Sequence, residues 1–306
     1  MFNRTEQYTQ GNLFDTKPDI EAQTLSVPPL KGQLLKWIGN KQKFAIEICH
    51  KFPKQFGTYY EPFIGSGAVL ATLAPRKAVA GDAFKPLVEI WQKLHDDTEG
   101  LIQWYDERYA LIESMGSKQD AYKYVLNRYN TQGPNGADLL FLSRVCYGGV
   151  VRFRKDGYMS TPCGPHKPMP VENFAERARI WAARTRGTRF QHADFEDTLR
   201  TAQAGDLVYC DPPYVDSQTI LYGAQTFSVQ RLFRVTQELK ERGVYVAISL
   251  DGTKKSGHKL VELPIPDGLF KREVMVHLGS SMLKRYQLKD QTAEEHHVAD
   301  RLLLTY

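Results

Sequence analysis

Cysteine is scarce in this sequence. Cys49, Cys146, Cys163 and Cys210 are scattered, with no Cys-x-x-Cys pair. That spacing indicates neither a disulfide framework nor a zinc site, and no metal is expected. Long apolar runs are missing too: no stretch approaches the ~18 consecutive apolar residues that a membrane span needs. Met1 to Asp19 holds no apolar signal-peptide core. A soluble cytoplasmic protein without a membrane partner is the expectation. Charge of one sign is not in excess. Forty Lys and Arg against 35 Asp and Glu leave +5, which permits nucleic-acid binding without demonstrating it. Repeats and low-complexity tracts are absent, as is a full Gly-x-Gly-x-x-Gly dinucleotide pattern. The hydrophobic share is 42% of 306 residues, enough to build one large or two modest domains.

The most informative stretch is Gly205-Asp206-Leu207-Val208-Tyr209-Cys210-Asp211-Pro212-Pro213-Tyr214. Leu207 to Cys210 reads as a buried strand of a parallel sheet. Two prolines remove two backbone donors and fix two φ angles, so the strand ends there. An acid and an aromatic are thereby held rigidly at the carboxyl end of a sheet strand, where open α/β sheets bind ligands. A plain turn is the bland alternative. The chemistry that suits these residues is methylation of an aromatic amine. The lone pair of such an amine is delocalised into its ring. A carboxylate and a proline carbonyl that accept its two N–H bonds draw the nitrogen towards tetrahedral geometry. Tyr214 can stack on a base taken out of a helix.

Upstream, Thr58 to Gly67 reads as a strand, then a glycine-rich turn (Phe63-Ile64-Gly65-Ser66-Gly67), then a helix from Ala68. Glycines allow close backbone approach to a ligand, and the helix that follows presents free N–H groups. Ala78 to Asp82 is a second strand ending in an acid that can accept ribose hydroxyls; alternatively, Asp82 caps a helix starting near Lys85. Gly39-Asn40 signals a turn, and Lys41 to Phe52 reads as an amphipathic helix. Leu87 to Tyr129 is helical in period, with a break at Met115-Gly116-Ser117. Asp156-Gly157 between two β-prone runs signals a hairpin. Arg144, Arg152, Arg154 and Lys155 cluster there with Tyr147, Phe153 and Tyr158, a composition suited to phosphates, guanine and stacked bases. Val171 to Arg186 is helical, with a basic end facing DNA or water. Val215 to Phe227 is a polar loop long enough for a lid. Ser228 is the candidate N-cap of a helix to Arg242, and Arg272 to Leu278 with Asp300 to Tyr306 reads as a closing strand pair.

These blocks, in this order, resemble the Dam-type DNA adenine-N6 methyltransferases from about Leu34 to Tyr306. Leu35 to Lys41, Glu61 to Gly67, Asp82, Leu142 to Phe153, Val208 to Tyr214 and Asp300 to Tyr306 carry the likeness. The resemblance implies an α/β fold, a Rossmann-like S-adenosylmethionine-dependent methyltransferase domain. Its seven-stranded, mostly parallel sheet would comprise residues 30–90 and 185–306. A helical and hairpin target-recognition insertion would span 91–184. Residues 1–29 have no counterpart in the resemblance; polar, rich in Gln, Thr and Asp and ending in Pro28-Pro29, they read by composition as a flexible arm. S-adenosyl-L-methionine is the implied cofactor, lined by Trp37, Lys41, Asp82 and Asp211, with Phe63, Gly65, Ser66, Gly67, Asp194 and Phe195 as neighbours. Asp211, Pro212, Pro213 and Tyr214 would be catalytic. Lys36, Arg144, Tyr147, Arg152, Arg154, Pro162 and His166 would meet double-stranded DNA, with Arg152 matching the arginine that reads a guanine. A restriction-endonuclease counterpart in the same system and a nucleoid-associated cytoplasmic location are further implications. Gly148 stands where the family often has Asn, and His166 where Tyr is common, which leaves the target sequence open. Alternatives are methylation of RNA adenine or protein glutamine, and a catalytically idle DNA-binding subunit.

Overall fold

The computed structural model describes residues 23–30, 32–154, 156–213, 227–251, 265–277 and 299–306, with the backbone alone at 251, 277, 299 and 300. Tyr214 and all of the expected lid but Phe227 lie outside the described residues, as do 1–22 of the expected arm.

Seven strands form one sheet: β1 (Tyr59–Glu61), β2 (Ala78–Asp82), β3 (Thr188–His192), β4 (Leu207–Cys210), β5 (Tyr245–Asp251), β6 (Arg272–His277) and β7 (Ala299–Leu304). Their order is β3-β2-β1-β4-β5-β7-β6. β1 to β5 pair in parallel, and β7 runs antiparallel to both β5 and β6. The short apolar strands make sense because both faces are covered. Tyr59, Ala78, Ala80, Leu207, Tyr209 and Ala247 point into one core. Their neighbours Tyr60, Val79, Val208, Cys210, Val246 and Ile248 point into the other. The first face packs on α3 (Lys85–Asp96) through Leu87, Ile90 and Trp91. The second packs on α8 (Phe195–Leu199) and α9 (Val229–Glu241) through Leu199, Leu232 and Leu239. Ser228 caps α9 by accepting the Arg231 N–H, as expected.

Several local readings shift. The helix expected over Lys41 to Phe52 is only α1 (Ala45–Cys49). Asn40 Oδ1 accepts the Gln42 N–H at 2.7 Å and makes a turn, which frees Lys41 from the helix, while Pro53 disfavours helical backbone at Phe52. α2 (Ala68–Leu73) follows the glycine turn. The helical stretch after α3 breaks at Met115–Ser117 as expected, giving α4 (Thr98–Ser114) and α5 (Lys118–Gln132). It also breaks at Asp97, whose side chain caps α4. The apolar stretch from Leu139 to Val145, whose letters also suit a strand, belongs to α6 (Gly136–Val145), buried along its whole length and capped by Asn135. A short apolar run lacks the periodicity that would separate a buried strand from a buried helix. The hairpin is present in small form: Phe153 bridges Met159, and the Arg154 N–H donates to the Tyr158 carbonyl at 2.9 Å.

The sequence boundary near Trp91 falls inside α3, and Tyr105, Tyr122, Tyr129 and Phe141 share one core with the sheet residues Tyr59 and Leu207. Gln23 to Pro29, assigned to the loose arm by composition, are bonded to the body. Leu25 donates to the Ala74 carbonyl at 2.7 Å, and Gln23 Oε1 accepts the Phe56 N–H. The basic end of α7 (Val171–Thr185) binds protein. Arg177 donates to the Gln33 carbonyl, Arg179 pairs with Glu99, and Arg184 donates to the Pro28 and Ala71 carbonyls.

Candidate active site

From β1 the chain winds outward through β2 and β3, and from β4 it winds the other way to β5. The strand order therefore reverses between β1 and β4, and the crevice at their carboxyl ends is the ligand position of such sheets. Glu61 ends β1 and Asp211 follows β4 there. Pro212 is buried behind Asp211. Lys41, itself buried, places Nζ 3.1 Å from Asp211 Oδ1. A buried ammonium is stable only beside an opposite charge, so the short α1 and the turn before it serve this pair.

Glu61 is the crevice residue that sequence reasoning passed over, although it opens the Glu61 to Gly67 block. It is buried and accepts a 2.6 Å hydrogen bond from the Tyr59 hydroxyl. Burial, reinforced by the nearby Asp211 charge, pushes its pKa up to about 8 against the opposing Tyr59 bond. The crevice thus brings one buried lysine, Lys41, together with two acids, Glu61 and Asp211. The signal in the sequence was an acid at the end of an apolar strand, the same signal that marked Asp82.

The glycine turn is held from several sides. Gly65 and Gly67 have φ of +46° and +63°, in the left-handed region. A Cβ on Gly67 would lie 2.9 Å from the Trp91 ring, so indole packing also demands glycine there. Trp91 Nε1 donates to the Gly65 carbonyl at 3.2 Å. Asp82 is not a helix cap: Oδ2 accepts the Gly65 N–H at 3.2 Å and Oδ1 accepts the Phe84 N–H at 2.9 Å. Burial raises its pKa to about 6 against those two bonds. Trp37 is buried with its pyrrole edge near Gly65, and Ser66 is buried in the turn. Trp37, Lys41, Gly65, Asp82 and Asp211 thus gather at one end of the sheet.

Phe63, Asp194 and Phe195 form a second wall. Phe63 and Phe195 stack with centroids 5.3 Å apart, and Phe227 meets both edge-on. Asp194 ends the β3 segment and caps α8 by accepting the Glu196 N–H. His192 Nε2 lies 3.1 Å from the Ala83 carbonyl.

The residues expected at DNA separate into two kinds. Tyr147 and Arg152 are exposed, and no carboxylate pairs with the Arg152 guanidinium among the described residues. The Tyr147 N–H donates to the Pro162 carbonyl at 2.8 Å, and the Arg152 N–H to Thr161 Oγ1 at 2.8 Å, which ties both to the Thr161–Pro162 segment. Lys36, Gly148 and His166 line a common pocket beside them. Gly148 and Gly149 have φ of +65° and +68°, and a Cβ on Gly149 would meet Lys36 Cβ at 2.8 Å. Arg154 is occupied locally, paired with Asp156 at 3.2 Å and lying 4.1 Å over the Tyr158 ring. Arg144 is buried, donating to the Leu34 carbonyl and Met169 Sδ and stacking on Phe174 at 5.5 Å. Its guanidinium fastens the Leu34 segment to α6, and Arg144 also lines the pocket that holds Lys36, Gly148 and His166. Among the described residues no group of three His, Cys, Asp or Glu could hold a metal ion, and no helix is long and apolar enough to cross a membrane.

Comparison with known proteins agrees with this geometry. The chain is 28% identical over 230 residues to Type II methyltransferase M1.LlaDCHI of Lactococcus lactis subsp. cremoris, covering 70% of this chain and 79% of that one. It is 33% identical over 192 residues to the Retron Ec67 DNA adenine methylase of Escherichia coli, covering 59% and 63%. It is 29% identical over 232 residues to the DNA adenine methylase of Serratia marcescens, covering 72% and 83%. The family model of the D12 class N6 adenine-specific DNA methyltransferases matches residues 37–278, from Trp37 through the recognition hairpin and Asp211 into β6 and just beyond. With the match spanning most of its length, the chain belongs to the D12 class N6 adenine-specific DNA methyltransferase family and is an adenine-specific DNA methyltransferase.

Proposed function

We propose that the methyl donor is S-adenosyl-L-methionine and that the acceptor is an adenine turned out of duplex DNA at a specific site. The observation that carries the reading is Asp211 at the strand-order reversal, 3.1 Å from buried Lys41 and backed by Pro212-Pro213. When bound, the cofactor supplies an electrophilic methyl on a sulfonium, a good leaving group, so positioning supplies much of the catalysis. The donor set fits it. Each Asp82 oxygen already accepts one backbone N–H and keeps a lone pair for a ribose hydroxyl. Trp37 and the Phe63–Phe195 wall offer apolar faces for the purine, and Asp194 offers an acceptor for its amine. Asp211 and the Pro212 carbonyl accept the two N–H bonds of the target amine and orient its lone pair. Asp211 need not be a strong base, because the amine becomes acidic only as it acquires the methyl. Tyr214 supplies a stacking face for the extruded base.

On the DNA side, Arg152 reads guanine through its O6 and N7 acceptors, Tyr147 wedges into the stack, and Lys36, Pro162 and His166 complete the surface. A restriction counterpart accords with the Type II name of one relative. Transfer of labelled methyl from S-adenosyl-L-methionine to duplex DNA, RNA and protein in parallel tests the reading. Labelling of DNA alone, with N6-methyladenine recovered, is the expected result. Labelling of RNA or protein instead overturns the substrate, and DNA binding without cofactor binding marks an idle subunit.

A further inference from the structure

We infer that Arg231 is a positioning residue for the purine end of the cofactor, acting through Asp194. The inference rests on the cofactor reading above. Arg231 sits in the first turn of α9, whose buried Leu232, Phe233 and Val235 fix that turn against the sheet. Its guanidinium reaches three groups of the α8 start. Nη2 donates to Asp194 Oδ1 at 2.9 Å, Nε donates to Glu196 Oε1 at 2.8 Å, and the planar group lies 5.0 Å over the Phe195 ring.

Asp194 Oδ1 also accepts the Glu196 N–H at 3.0 Å, so two donors converge on one oxygen and set the carboxylate's orientation. Arg234 adds a second cation to Glu196 Oε1 at 2.8 Å, which keeps the far side of the clamp in place. The ring under Arg231 belongs to the Phe63–Phe195–Phe227 group, so one guanidinium braces both the apolar wall and the acceptor beside it. A planar fork that bonds and stacks at once is arginine chemistry, and a lysine cannot reproduce it.

The rival is an ordinary surface ion-pair network. Asp194 and Arg231 are each 38% exposed, and such pairs contribute little on their own. The two readings diverge in which part of the ligand notices the loss. A surface pair acts on the fold alone. A positioning residue for Asp194 acts on recognition of the purine amine, because a half-exposed carboxylate released from its partners loses its fixed direction.

The test is calorimetric titration of the full chain and of Arg231→Met with S-adenosylhomocysteine and with its hypoxanthine counterpart, which lacks the amine. The wild-type protein should prefer the adenine ligand. In Arg231→Met the adenine ligand should weaken by about tenfold, the scale of a lost charge-assisted bond. The hypoxanthine ligand should change little, so the preference collapses. The KM for the cofactor should rise, while kcat at saturating cofactor and the melting temperature hold. Arg231→Lys should recover only part of the preference. Equal weakening of both ligands, or no change in either, overturns the assignment while leaving the cofactor reading standing. Absence of any adenine-ligand binding by the wild-type protein overturns both.

Discussion

At the carboxyl end of β4, Lys41 is buried 3.1 Å from Asp211, and Glu61 is buried on the neighbouring strand with its pKa pushed up to about 8. On the recognition hairpin, Arg152 is exposed and meets no carboxylate among the described residues, beside an exposed Tyr147. The first region pairs its buried charge within the chain; the second presents its charge to solvent. Burial explains the difference. An ammonium out of water needs a partner in the chain, whereas a hydrated guanidinium loses little without one. Arg144 and Arg154 show that a basic cluster in the sequence need not behave alike: the first is a buried fastener and the second is paired within its own hairpin.

The comparison breaks most sharply at Asp211. Asp211→Ala removes the acceptor for the target amine and leaves Lys41 without its 3.1 Å carboxylate partner. Methyl transfer should fall by at least about a hundredfold, with weaker cofactor binding, while the chain still folds. Initial rates and thermal melting check this, and near-normal turnover would remove the catalytic assignment.

Glu61→Gln probes the same crevice through pH. The ordinary carboxyl value is 4.5 and the folded value is about 8. Below the lower value both folded and unfolded chains carry the proton. Between the two, the folded chain keeps it and the unfolded chain does not, so this group's contribution to stability declines as pH rises towards 8. The glutamine variant lacks that decline. Its stability relative to wild type should improve by about a few kcal/mol between pH 5 and pH 8. Urea denaturation at the two pH values reads the difference, and parallel curves would show that Glu61 is ionised in the folded protein.

Asp82→Ala sharpens the cofactor side. Loss of a charge-assisted acceptor should lower cofactor affinity roughly ten- to a hundredfold. The glycine turn also loses its Gly65 bond, so part of the effect is positional. Calorimetry showing unchanged binding would contradict the ribose role.

The smallest effect belongs to the exposed side and is the most specific. Arg152→Ala should cost about 1–3 kcal/mol on the preferred site and relax preference at one base position. Arg154→Ala, which removes a side chain already paired with Asp156, should alter all sequences evenly and less. Methylation profiles across single-base-substituted duplexes separate the two, and an unchanged profile for Arg152→Ala would end the guanine reading.

Much of this was legible in the residues themselves. Pro212-Pro213 after Leu207 to Cys210 marks a strand end by covalent geometry alone, so the position of Asp211 needed no fold. The acid at Asp82, the left-handed Gly65 and Gly67, the Ser228 cap and the Met115–Ser117 break are likewise local, set by φ, by side-chain acceptors and by period. Other features depended on what packs around them. Gly136 to Val145 is a helix because neighbours bury it on every side, which its apolar letters leave undecided. The pairing of Lys41 with Asp211 joins residues 170 positions apart, and no local rule of turn or period spans that distance. Arg144 became a fastener and Arg152 stayed exposed although both are arginines in one cluster, because burial is a property of the packed chain. The sequence by itself determined where strands end and which groups stand there. Tertiary structure alone decided which charges meet, since desolvation and pairing exist only once distant segments share a dielectric environment.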